Sequence, residues 1–285
     1  MKIVVFDLDE TLGYFTQYGI FLDCLKIYLK EQTQKQDKSD QKQQSSGKQI
    51  NKEEFDSILD LYPEFLRPNI INILTYLKTK KDSKCCHKMM IYTNNNGPRE
   101  WAHQIIDYFQ SKINYKLVDQ IIAAFKVNGK QVEICRTTHS KTHEDFIRCT
   151  KLPSTAEICF LDDYFYPDMI NDNIYYINIK PYYHDVPFEE MLERFKNSKI
   201  GSELVPDSEW SNFFSEMLRQ LKIYKYAYVE KTEKEYEIDK ILGKQITTHL
   251  EDFFNQSKKN KSERRRTKKR GLGGIKKHRT YKRHY

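Results

Sequence analysis

Long apolar runs are missing from this chain of 285 residues. No stretch approaches the roughly 18 to 20 apolar residues that a bilayer-spanning helix needs, so no membrane partner is expected. Ahead of Ile3-Val4-Val5-Phe6 stands only Lys2, and the run stops at Asp7. That is too short for the apolar part of a secretory signal. Cysteine is scarce and irregular. The six residues Cys24, Cys85, Cys86, Cys135, Cys149 and Cys159 show neither a disulfide framework nor zinc-ribbon spacing. Reduced thiols in an intracellular compartment, cytoplasmic or nuclear, are therefore expected. Cys85-Cys86-His87 lacks a second ligand pair and is not read as a metal site. Tryptophan contributes only 2 residues, but Tyr (20) and Phe (16) bring the aromatics to 13%, enough to build a core. A mean hydropathy of -0.78 leaves much of the chain to solvent.

What is present is charge, unevenly placed. Residues 258–285 carry 14 Lys or Arg against the single acid Glu263; their net +13, set against +8 for the whole chain, leaves -5 for the rest. Like charges this dense repel and cannot pack, so a disordered basic tail is expected over 257–285. Such a tail suits a nuclear localisation signal or contact with nucleic-acid phosphates, with Tyr281 and Tyr285 placed to stack on unpaired bases. A solubilising tail is the plain alternative.

Apolar runs at residues 2–6, 88–92, 121–125, 157–161 and 174–179 read as strands, with 132–135 paired to the third across an Asn128-Gly129 turn. Helical spacing falls between them at 14–30, 54–62, 69–78, 98–109 and 142–150, and again at 188–195 and 207–221; residues 226–256 also read as helical. Strands that are apolar throughout and alternate with helices imply a parallel sheet covered on both faces, an α/β fold. The Gln-, Lys- and Ser-rich run 31–52 cannot bury a core and is expected to be a mobile insert. Three strands end in polar clusters: Asp7 and Asp9, Thr93, and Asp162-Asp163. In open α/β sheets the site lies beyond the carboxyl ends of the strands, where these distant clusters would converge.

Taken alone, Asp7-Leu8-Asp9 is most often a turn or a helix cap. Following a strand, with two further clusters in order, the pair suits phosphoryl transfer: one carboxylate attacks phosphorus, and the second protonates the leaving oxygen and then activates water. Two anions would repel a phosphate, so a divalent cation is required, and magnesium favours carboxylate oxygens. Asp7-Leu8-Asp9-Glu10-Thr11-Leu12 resembles the first motif of the haloacid dehalogenase superfamily. Its Asp-Glu-Thr-Leu form, together with Arg67-Pro68, is similar to the branch of carboxy-terminal-domain phosphatases and NLI-interacting-factor-like proteins.

The resemblance covers residues 1–200. It implies a three-layer Rossmann-like fold with a cap-position insert (14–87) after the first motif, beyond which lie a helical extension (201–256) and the basic tail. It implies Asp7 as nucleophile and magnesium ligand, and Asp9 as general acid and base with its backbone carbonyl on the metal. Thr93 would bind the phosphoryl group, assisted by the Asn94 backbone N–H, with Thr11 also at the substrate. Lys141 would balance charge on Asp7 and the phosphate, with Lys151 as its rival. Asp162 and Asp163 would hold Mg2+, one directly and one through water. Tyr164, Tyr166 and Pro167 are expected to be packed aromatics and their neighbour rather than a wall of the site. Gly13-Tyr14 and Asp163-Tyr164 depart from the branch, and both lie beside substrate-binding elements. The expected activity is a Mg2+-dependent phosphatase acting on phosphoserine or phosphothreonine of a protein. The alternatives are a nucleic-acid end phosphatase and an inactive nucleic-acid-binding or scaffold protein.

Overall fold

A computed structural model describes residues 1–40 and 49–256. Five parallel strands form the central sheet: β1 (Lys2–Phe6), β2 (Lys88–Tyr92), β3 (Gln120–Ile122), β6 (Glu157–Asp162) and β7 (Ile174–Asn178), in the order β3-β2-β1-β6-β7. Between β3 and β6 a two-stranded hairpin pairs β4 (Lys126–Val127) with β5 (Lys130–Gln131) across Asn128-Gly129, both at positive φ. The turn falls where the sequence places it. The returning strand stops at Gln131; Val132 still donates its N–H to the Phe125 carbonyl at 2.9 Å, but residues 133–135, expected to continue the pairing, are not in a strand.

Alternation along the strands sends side chains to both faces. Val4, Phe6, Met89, Ile91, Cys159 and Leu161 meet the larger helical layer, while Ile3, Val5, Met90, Ile158 and Phe160 meet a thin layer built on α5 (His143–Thr150). The larger layer contains α1 (Thr16–Asp40), α2 (Lys52–Leu59), α3 (Ile70–Asp82), α4 (Arg99–Ile113), α6 (Phe188–Lys196), α7 (Lys199–Leu204), α8 (Trp210–Ile223) and α9 (Glu233–Asn255). The sheet is thus parallel and apolar on both faces, as its continuous apolar strands require.

Several boundaries differ from the sequence reading: residues 226–232, read as helical, lie outside any helix and α9 starts at Glu233, and β3 ends at Ile122 rather than at 125. Helix α1 continues to Asp40, well into the run expected to be mobile, and α2 begins at Lys52 behind an Asn51/Glu54 capping box. Polar composition withholds a buried face but does not oppose helix, and α1 is anchored by its apolar first half: Tyr18, Phe21, Leu22, Leu25 and Tyr28 are all buried. Residues 41–48 and the basic tail from 257 lie outside the described residues. The cysteines also differ. Cys135 and Cys149 form a disulfide, against the expected set of reduced thiols; Cys24, Cys85, Cys86 and Cys159 are free. A spacing of fourteen carries no framework signature, and only folding brings the two together. No helix among the described residues is long and apolar enough to cross a membrane.

Candidate active site

Parallel pairing puts the carboxyl ends of β2, β1 and β6 side by side: Phe6 lies opposite Ile91 and Leu161. Asp7, Thr93 and Asp162 therefore emerge at one rim, the first held by its N–H donating to the Leu161 carbonyl at 2.9 Å. A cleft of about 280 Å³ opens there, lined by Asp7, Asp9, Thr93, Lys141, Asp162 and Asp163, among others. All the clusters singled out in the sequence meet in it.

Lys141 sits at its centre. Its Nζ is 2.5 Å from Asp7 Oδ1 and 2.6 Å from Asp162 Oδ2, and the ammonium is almost wholly buried. Burial alone would lower its pKa, but the two carboxylates outweigh that and hold it above its ordinary value. Lys151, the rival, instead caps the end of α5 in the left-handed region, exposed. The carboxylates of Asp7, Asp162 and Asp163 bring one oxygen each within 4.8 Å of one another. Burial pushes the Asp162 carboxyl upward, Asp7 adding to the effect against the pull of Lys141; burial and Asp7 likewise raise Asp163. Such a set of hard oxygens, two of the three carboxylates buried and the third half-buried, in excess of the one ammonium between them, fits a small divalent cation such as magnesium.

Asp9 lines the same cleft but has a different partner. Its Oδ2 accepts from Asn95 Nδ2 at 2.7 Å, and burial together with the neighbouring Asp7 charge pushes its pKa up to about 7. A carboxyl poised there can give and take a proton near neutrality. Thr93 is buried and its Oγ1 accepts from the Asn95 N–H at 3.0 Å. Asn94, expected to act through its backbone, directs its side-chain amide to Tyr166 Oη at 2.9 Å. Thr11 Oγ1 donates to Asp163 Oδ1 at 3.0 Å, bracing a carboxylate of the acidic pair.

Tyr164 and Tyr166 line the cleft, contrary to the expectation that they are only packed aromatics; Tyr164 is 66% exposed. The short helical turn at Pro167–Met169 follows them, and the Asp162 carboxylate accepts from the Tyr164 N–H at 2.9 Å, which draws this loop to the rim.

The turn after β1 depends on residues whose part the sequence did not reveal. Glu10 takes a left-handed φ of 57°, and Gly13 packs so closely that a Cβ would lie 2.4 Å from the Phe65 carbonyl oxygen. Arg67, buried at the head of α3, clamps this turn: Nη2 donates to the carbonyls of Glu10 at 2.5 Å and Lys180 at 2.9 Å, and Nε to that of Thr11 at 2.6 Å. Burial lowers its pKa to about 10, with Asp239 and Asp163 opposing. Arg136 does the same for the opposite wall. It lies over the Tyr92 ring and donates to the carbonyls of Thr93 (3.1 Å), Ala123 (2.9 Å), His139 (3.0 Å) and Ser140 (3.3 Å), fixing the segment that delivers Lys141. Asn95, Arg136 and the clamping role of Arg67 were missed because isolated polar residues in loops carry no pattern. The run Thr93-Asn94-Asn95-Asn96 was the one available hint.

None of the described residues of the 14–87 segment lines the cleft; they pack instead into the larger helical layer. Fold and site together define a parallel α/β protein with an acidic cleft, centred on a lysine, at the carboxyl rim of its sheet. In comparison with known proteins, no family model, no curated protein and no solved structure matches the chain.

Proposed function

We propose that this chain is a magnesium-dependent phosphomonoesterase of haloacid dehalogenase type, working through phosphorylated Asp7. The observation that carries the reading is the bridge from Lys141 to both Asp7 and Asp162, with the separately placed Asp9 carboxyl held near neutral pKa. Magnesium held by Asp7, Asp162 and Asp163, with the Asp9 carbonyl, would supply the positive charge that lets a phosphate dianion approach three carboxylates. Lys141 and the Thr93 hydroxyl, with the Asn94 backbone N–H, orient the phosphoryl oxygens. An Asp7 carboxylate oxygen attacks phosphorus, the bond from phosphorus to the ester oxygen breaks, and the Asp9 proton passes to that oxygen as the alcohol leaves. The Asp9 carboxylate then takes a proton from water, whose oxygen attacks phosphorus. Inorganic phosphate departs and Asp7 is restored.

The cleft's open mouth supports a substrate presented on a macromolecule, and we infer phosphoserine or phosphothreonine in a protein partner. The basic segment 258–285 supports a second reading, end phosphates of nucleic acid, and equally a nuclear address. A panel of phosphopeptides, oligonucleotide ends and small esters, with and without Mg2+, separates these substrates. In it, Asp7→Asn abolishes turnover of an aryl phosphate; retained activity would remove Asp7 from the mechanism. Salt-sensitive nucleic-acid binding with no turnover of any ester would instead mark the chain as a binding protein.

A further inference from the structure

Beside the acidic cleft lies a second cavity of about 180 Å³, and the two share Thr93 and Asn95. Its character is opposite. Ile121, Ala123, Ala124, Val127 and Val132, from the end of β3 and the hairpin after it, supply apolar walls, and His103 on α4 is its one titratable lining residue. Small side chains create the space. The loop from β2 to α4 keeps it open: Asn95 turns its Oδ1 to accept from the Gly97 N–H at 2.8 Å, and a Cβ on Gly97 would lie 2.8 Å from that oxygen.

Asn95 is the shared wall. Its carboxamide nitrogen holds Asp9, the group that must protonate the departing oxygen, while the residue also borders the apolar cavity. The ester oxygen has to reach Asp9, so whatever it carries is directed along Asn95 toward this cavity. Apolar cavities of roughly 150 Å³ accept a benzene ring. A polyhydroxylated alcohol would lose water there and find few partners for its hydroxyls. We infer that the cavity is a leaving-group subsite, and that the chain prefers phosphomonoesters with an uncharged apolar group a few atoms from the phosphate over sugar and polyol phosphates. The inference rests on the phosphatase reading for its chemistry, but the cavity's selectivity can be measured without turnover. The apolar group can come from the alcohol itself or from a residue next to a phosphoserine.

The full chain is assayed in Mg2+ with benzyl phosphate and glycerol phosphate, both primary alkyl esters of alcohols of similar basicity. Wild type favours the benzyl ester by at least about tenfold in kcat/KM. Val132→Phe and Val127→Trp, which fill the cavity, erase that preference and leave glycerol phosphate turnover unchanged, which also shows that they fold. Equal sensitivity with a phosphoserine peptide bearing an apolar neighbour assigns the cavity to a peptide side chain; sensitivity confined to benzyl phosphate assigns it to the alcohol. Either sustains the inference. In parallel, calorimetry compares benzylphosphonate with methylphosphonate, which are not hydrolysed. Tighter binding of the benzyl compound that Val127→Trp removes upholds the cavity even if no ester is turned over, in which case only the phosphatase reading falls. Equal binding of the two phosphonates by wild type overturns the cavity assignment whether or not esters are hydrolysed.

Discussion

Lys141 cannot neutralise the carboxylates around it, and the consequence is a proton affinity that a cation should displace. The Asp9, Asp162 and Asp163 carboxyls are all raised from an ordinary 3.8, Asp9 to about 7. A raised carboxyl means that the folded protein binds the proton more tightly than the unfolded chain. The associated stability is complete below about pH 4 and is lost as pH climbs through about 7. Metal-free protein should therefore lose this contribution between those limits, and Mg2+, competing with protons for the Asp162 and Asp163 oxygens, should restore their share of it where the protons have left. The expected result is a larger rise in Tm on adding Mg2+ at pH 7.5 than at pH 5, checked by calorimetry across that range. An equal shift at both values would contradict a carboxylate cation site. At this scale the sequence was informative wherever an acid or a threonine followed an apolar run. It was silent on Asn95 and Arg136 and on the clamping role of Arg67, since their work is done through backbone carbonyls or through one neighbouring side chain.

Helix α9 shows how a distant element bears on the turn that carries Asp9 and Thr11. It packs directly on the head of α3, where a Cβ on Gly243 would meet the Pro68 carbonyl oxygen at 2.2 Å, and the Asn69 amide donates to the Gly243 carbonyl at 3.2 Å. Asp239 on the same helix is buried with Lys231 in an ion pair of 2.5 Å, and its charge reaches Arg67. At the other end, Lys2 Nζ caps α9 by donating to the carbonyls of Phe253 at 2.5 Å, Phe254 at 2.8 Å and Gln256 at 3.0 Å, tying it to β1. Gly243→Ala must push backbone from backbone. The expected cost is about 1 to 3 kcal/mol in denaturant unfolding, with a parallel fall in kcat as the Arg67 clamp shifts. Unchanged stability would mean that α9 does not press on α3. Residues 226–256 read as helical from the sequence, but nothing in their spacing says that Gly243 exists to admit Pro68. That contact is a property of packing. The overlong α1 has the same origin, since its polar half is carried by an apolar half that was legible.

Across the whole molecule, the parallel sheet and the convergence of Asp7, Asp9, Thr93 and Asp162-Asp163 followed from the apolar strand runs and from the rule that places sites beyond the carboxyl ends of parallel strands, while the strand order was not legible. The Cys135–Cys149 bond did not, because nothing local records which residues a fold will appose. It closes the segment that carries Arg136 and Lys141. Replacing both cysteines with serine is expected to lower stability by roughly 3 kcal/mol, the loop-closure term for a ring of about fifteen residues. Thermal unfolding with and without a thiol reductant checks this on the unaltered chain, and identical transitions would show that the bond contributes nothing. The chemistry itself is tested most directly by acid quenching during turnover, followed by mass analysis of the peptide that contains Asp7. The account requires one phosphoryl group on Asp7, accumulating further in Asp9→Asn, which cannot activate water. A phosphoryl group found on any other residue, or steady turnover by a chain lacking the Asp7 carboxylate, would contradict it.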